Sequence, residues 1–360
     1  MDFALTEQQL QMQDSINRFL GDQASLDRVR ELVSEGARHD AQLWQGLAEL
    51  GITGLLVPDE YGGAGLSLLD AALVQEILGR HVTPVAWLST AVLAPLAINL
   101  AGNSQQKQAW LPAIADGSMQ FAVAISEASG RRDGAGVAVS DGQLNGRALF
   151  VVGAPDADVV LIGCNNGELY AVERDAPGLV YNTLRTIDDT QCLGELNFSA
   201  VAAQHLPMAQ ANIVQCLQDA GRVMLAADTL GAAQKMLELA VAYAAQRKQF
   251  NRVIASFQAV KHMCAEMAAE LEPSRSLVWY AAYAYDAIPD ESRLVACHAK
   301  SHLSEVGRFV ARTAIEVHGG MGFTDLVGLH YWFKRIGCNR QLLGSPERCR
   351  EDAARVQDWA

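Results

Sequence analysis

The stretch "YAAQRKQFNRVIASFQAVKHMCAEM", residues 243–267, holds the end of one helix, a short basic loop and the start of another. Helical apolar spacing runs up to Gln246. Arg247, Gln249 and Phe250 then fall in an Arg-x-Gln-Phe loop, and Phe257-Gln258 opens the next helix. Working outward, the pattern predicts long helices over about 214–246, 256–287, 291–317 and 326–343, with a short one at the end. Pro289 separates the second and third, and Gly319-Gly320 closes the third. Pro273 lies inside the second, where an unsupported proline costs about 3 kcal/mol and predicts a kink or break. Wide apolar faces predict burial of these helices against one another and against a partner subunit.

The first third of the chain is also helical. "LTEQQLQMQDSINRFL" places Leu5, Leu10, Ile16, Phe19 and Leu20 near one face, with Thr6 as N-cap. "DAQLWQGLAELG" is a short amphipathic helix stopped by Gly51, and "VPDEYGGAGLS" is a loop. Helices follow over Leu68–Gly79, Trp87–Ala101 and "SQQKQAWLPAIADG". From Phe121 the period changes. "FAVAIS", "GVAVS", "ALFVV", "VVLIG", "LYAVE" and "LNFSAV" are short β-rich runs ending near Pro207, and Asp141-Gly142 and Asn166-Gly167 are hairpin turns between them. The expected fold is mainly α with a central β domain. The expected limits are 1–118 for a helical N-terminal domain, 119–210 for a middle β domain and 211–360 for a C-terminal helical bundle.

With 360 residues and a formal net charge of −13, the chain is long enough for several domains and repels phosphate backbones, so nucleic acid is not an expected partner. The seven cysteines are scattered without a C-x-x-C, which argues for a reducing compartment and against a disulfide or zinc framework. No basic-then-apolar leader and no bilayer-length apolar run is present, so the expected location is cytoplasmic, away from membranes. His298 and His302 are four apart on a helix but have no third ligand in view, so no metal is expected.

Together these segments resemble the acyl-CoA dehydrogenase family. Residues 243–267 resemble its C-terminal signature, and "EVHGGMGF" (316–323) its second one. "GITGLLVPDEYGGAGLS" is similar to its N-terminal loop, and "FAVAISEASGRRDG" and "LNGRALFVVGAPDADVVLI" to its middle-domain signatures. The resemblance implies a three-domain fold, a tetramer, FAD as cofactor, an acyl-CoA substrate and electron-transfer flavoprotein as acceptor. Carried over by position, it implies Arg247 on the FAD pyrophosphate with Gln249 and Phe250 in the same loop, and Phe257 and Gln258 on the adenosine side. It also implies Glu316, Gly319 and Gly320 beside the ADP backbone. Guanidinium pairs well with phosphate, and glycine admits close backbone approach. Glu316 stands where the family usually has Gln.

Other positions depart from the family. Ser126-Glu127-Ala128 replaces Thr-Glu-Pro, leaving Ser126 as a hydroxyl for the flavin ring, and Arg131-Arg132-Asp133 replaces Gly-Ser-Asp. Leu149 and Val152 stand where an aromatic residue and a Thr would face the flavin. Removal of an α-proton needs a carboxylate base, usually a Glu tuned by an apolar pocket. Leu343 stands at the family's common base position, and Gly221 at the alternative one just before Arg222. No catalytic residue is therefore assigned in this chain. The pattern resembles the smaller, base-less subunits of heterotetrameric acyl-CoA dehydrogenases, whose larger subunit supplies the base. The other readings are a self-sufficient homotetramer with an unorthodox base such as Glu347, and an inactive scaffold.

Overall fold

A computed structural model describes residues 4–130 and 132–359; Arg131, singled out above, lies outside the described residues. The chain forms a helical block, a β block and a second helical block, as its periodicities predict. In the first block α1 (Glu7–Gln23) starts at a capping box. Thr6 Oγ1 accepts from the Gln9 amide, and the Gln9 side chain accepts from the Thr6 amide. Then come α2 (Leu26–Ser34), which the sequence reading missed, α3 (Ala41–Glu49) and α4 (Leu68–Arg80). The helix expected over 87–101 begins with a π-helical stretch, Leu88–Leu93, before α5 (Ala94–Ala101). Pro95 lacks an amide hydrogen, so it cannot bond the carbonyl four residues back, and the wider turn precedes it. The block ends with α6 (Ser104–Ala115).

The β block contains β1 (Phe121–Ala124), β2 (Gly136–Ser140), β3 (Gln143–Val152), β4 (Val159–Gly163), β5 (Leu169–Glu173), β6 (Leu179–Leu184), β7 (Leu193–Ala202) and β8 (Gln204–His205). They form two four-stranded sheets, β1-β4-β5-β8 and β2-β3-β7-β6. Among the described residues only β1 and β4 run parallel; the other pairs of these two sheets are antiparallel. The β2–β3 turn has φ 51° at Asp141 and 74° at Gly142, the positive pair an Asp-Gly hairpin needs. Alternate side chains such as Val137, Leu144, Val151, Ile162, Leu196 and Phe198 form a core of their own. β6 escaped the sequence reading because it lies at a sheet edge, with its side chains half-buried or exposed.

The last block contains α7 (Ile213–Gln246), a small hairpin of β9 (Lys248–Gln249) and β10 (Arg252–Val253), α8 (Gln258–Ala287), α9 (Pro289–His318), α10 (Leu329–Gln341) and α11 (Pro346–Val356). Contrary to the break considered above, α8 continues through Pro273. Leu271, Ser274 and Val278 are buried on either side of it, and Ser274 Oγ donates to the Glu270 carbonyl at 2.9 Å. Packing thus outweighs the local penalty.

α4 crosses α7 at backbone contact. A Cβ on Gly231 would lie 1.7 Å from the Glu76 carbonyl oxygen, and one on Gly79 would lie 2.1 Å from that of Asp228. At this crossing Arg335 of α10 donates to both Asp228 oxygens, at 2.9 and 2.8 Å. Gln75 and Asn339 donate to the same carboxylate at 2.8 and 2.6 Å. One continuous apolar core runs from Ile16 to Leu343 through both helical blocks. No described helix is long and apolar enough to cross a membrane.

Candidate functional site

Two places bring the sequence-predicted residues together. The first lies between the ends of α7 and α9. The α7 helix ends at Gln246, and Arg247 leaves it in an extended conformation. Phe250 (φ 52°) and Asn251 (φ 61°) form the two-residue turn between β9 and β10, and both positive angles suit that hairpin. The turn leaves Phe250 87 % exposed. The α9 helix ends at His318, and Gly319 follows at φ 59°, ψ −140°, a conformation that favours glycine. A Cβ on Gly319 or Gly320 would meet nothing within 4 Å, so their backbone faces open space.

Arg247, Gln249, Glu316, Gly319 and Gly320 all line one open cleft of about 430 Å³. Tyr243 and His318 line it too, as a stacked pair with centroids 4.5 Å apart, and the sequence reading missed them. Tyr243 precedes Arg247 by four residues, one helical turn, so its place beside the cleft was readable from spacing. The His318 Nδ1 lies 2.7 Å from the Ala314 carbonyl. Burial depresses its affinity for a proton. Phe257 and Gln258 stand outside this cleft, at the start of α8. Phe257 meets Phe250 edge-on at 6.1 Å and carries the Arg252 guanidinium 3.8 Å above its ring. The Gln258 amide contacts His262 at 2.9 Å and is exposed.

The donors suit an ADP group. A guanidinium and an amide stand beside two glycines whose missing side chains leave room for close approach to a diphosphate.

The second place is where Ser126, Phe150, Val152 and Leu343 meet, around a void of about 20 Å³. That is room for about one water molecule. Ser126 is buried, with its hydroxyl 3.4 Å from the Phe150 carbonyl. The aromatic residue here is Phe150 and not the Leu149 considered above. A register irregularity between Ala148 and Val151, with φ 54° at Phe150, turns that ring to the void. The Arg132 guanidinium lies over the Phe150 ring, 4.9 Å from its centroid and 3.5 Å from Glu127.

Leu343 sits in a turn with φ 53° and is buried. A Cβ on Gly221 would lie 2.3 Å from Leu343 Cδ1. The two positions at which a base was sought therefore meet in space, and a leucine side chain fills the point where they meet. Behind it the Leu343 carbonyl accepts from Arg222 Nε at 3.0 Å, and the Gly344 carbonyl accepts from Lys300 Nζ at 3.2 Å. Arg222 also donates to Asp352 at 2.6 Å. Buried cations thus hold the turn by its backbone.

None of the carboxylates near this turn, Asp219, Glu347 and Asp352, lines the void. Asp219 is buried and accepts from Gln215 at 3.0 Å, and burial pushes its carboxyl up to about 6. Glu347 lies in the first turn of α11, 3.2 Å from Arg340, with 66 % of its side chain exposed. The Ser345 hydroxyl holds its carboxyl below the usual range, the reverse of the tuning a base needs.

The chain is a helical–β–helical protein with an open cleft at one end of its C-terminal bundle. The family descriptions "Acyl-CoA dehydrogenase, N-terminal domain" and "Acyl-CoA dehydrogenase, C-terminal domain" match residues 6–118 and 212–357. The acyl-CoA dehydrogenase IpdE2 of Mycobacterium tuberculosis is 31 % identical over 94 % of this chain and 94 % of its own length. Among solved structures, a variant of the Tcur3481–Tcur3483 steroid ACAD superposes with a TM-score of 0.89 at 31 % identity, covering 98 % of each chain. The ChsE4–ChsE5 complex from M. tuberculosis gives 0.92 at 25 % identity over the whole of both chains. The chain belongs to the acyl-CoA dehydrogenase family, whose members are FAD-dependent oxidoreductases acting on CH–CH bonds.

Proposed function

We propose that this chain is the non-base subunit of a heteromeric acyl-CoA dehydrogenase. In this reading 1–118, 119–210 and 211–360 are its three domains. Its bundle end supplies the ADP half of an FAD site whose flavin ring is held by a larger partner subunit. Arg247 and Gln249 take the diphosphate, Gly319 and Gly320 let it approach, and Phe250, Phe257 and Gln258 face the adenosine across the subunit boundary. FAD, when bound, supplies the hydride acceptor for α,β-dehydrogenation. The proton goes to a carboxylate on the partner chain.

The observation that carries the reading is the packing of Leu343 on Gly221 beside a void of about 20 Å³. It leaves no base and no room for a thioester. Ser126 keeps a hydroxyl for the flavin ring at that void, but Phe150 lines the void beside it and carries the Arg132 guanidinium on its ring. The comparisons support an assembly of unlike chains, because the ChsE4–ChsE5 structure is a complex of two. The steroid ACAD supports a bulky acyl-CoA as the substrate class, and a neighbour described as an electron-transferring flavoprotein supports that kind of electron acceptor.

The test is steady-state dehydrogenation of acyl-CoA thioesters with an artificial electron acceptor. The account expects no turnover by the chain alone and turnover after co-expression with its partner. Robust turnover by the single chain would overturn it.

A further inference from the structure

The cleft at the end of α7 and α9 holds a cation and a carboxylate that do not neutralise each other. Arg247 and Glu316 both line it, yet among the described residues neither side chain has an ion-pair or hydrogen-bond partner. Glu316 is exposed and sits in the last turn of α9. There the helix's terminal carbonyls already carry partial negative charge. A phosphate placed against Glu316 itself, away from Arg247 and the glycines, would be repelled by the carboxylate. A sugar diol would be welcomed, because its hydroxyls donate and the carboxylate only accepts. The same logic lets an acidic residue select an unphosphorylated ribose in dinucleotide sites. Arg247, on the other wall, supplies the cationic pole for a diphosphate.

Resting on the reading of this cleft as an ADP site, we propose that Glu316 receives the ribose hydroxyls and rejects a ribose phosphate. The cleft then takes a nucleotide with a free ribose, such as the ADP half of FAD. It excludes the 3′-phosphorylated ADP of coenzyme A. An acyl-CoA dehydrogenase meets both molecules, and both present ADP to the protein. One carboxylate in place of an amide separates them by charge.

The experiment measures binding of ADP and of its 3′-phosphorylated form to the full-length chain, by calorimetry or by ligand-observed NMR for weak binding. The expected result is at least tenfold weaker binding of the phosphorylated nucleotide. Glu316→Gln should narrow the gap to within about threefold by strengthening the phosphorylated form, and Glu316→Arg should reverse the preference. Equal binding of the two nucleotides to the unaltered chain, or a preference that survives Glu316→Gln, overturns the proposal while leaving the ADP site intact. No ADP binding, with Arg247→Ala indistinguishable from the unaltered chain, overturns the cleft reading itself.

Discussion

Replacing Gly221 by alanine would put a methyl group 2.3 Å from Leu343 Cδ1, inside α7. Overpacking of this kind costs about 1–3 kcal/mol, and the better helix propensity of alanine offsets about 0.5–1 kcal/mol of it. Leu343→Ala alone removes a buried side chain next to an existing void and costs about 2–5 kcal/mol. In the double variant the overlap is gone, and the new methyl group fills part of the space Leu343 vacated. The two effects should therefore combine with a favourable coupling of about 1–3 kcal/mol. The assay is urea unfolding of all four full-length proteins at matched concentration, comparing midpoints at constant slope. Additivity within about 0.5 kcal/mol would refute the claim that one side chain fills the place where the two base positions meet.

Asp228→Ala removes the carboxylate that accepts from Arg335 Nε and Nη2 and leaves the buried guanidinium with only the neutral partners of its Nη1, the Thr83 carbonyl and the Thr190 hydroxyl. The expected loss is about 3–5 kcal/mol in thermal unfolding, and a change below about 1 kcal/mol would contradict the role assigned to the pair. Burial lowers the Lys300 ammonium from 10.5 to about 8 in the fold. The unfolded chain then binds more protons between these values, so stability rises with pH from about 8 to 10.5. Relative to Lys300→Met, the unaltered chain should gain about 3 kcal/mol across that window. A flat difference in melting temperature over the same range would contradict it.

Much of this was legible in the sequence, for reasons that individual residues make plain. Thr6 with Gln9, and Asp141 with Gly142, carry their conformations locally, so the first helix start and the β2–β3 hairpin were readable. The loop Arg247–Phe250 and the glycines 319 and 320 are close to helix ends, and helix ends are marked by composition. The break considered at Pro273 does not occur, because the penalty is local while the packing that outweighs it comes from other helices. Leu149 was placed against the flavin site in place of Phe150, because a bulge moves side chains by one position and no residue type announces it. The contact between Leu343 and Gly221 joins residues 122 positions apart in the chain. The sequence showed that each lacks a carboxylate, but not that one fills the space of the other.

The most direct test of the central claim is the FAD content of this chain purified alone and after co-expression with its partner dehydrogenase, read from the flavin spectrum and protein concentration. The account predicts a colourless single chain and about one FAD per pair of unlike subunits, because binding requires both halves of the site. A single chain that purifies yellow with one FAD per copy would contradict it.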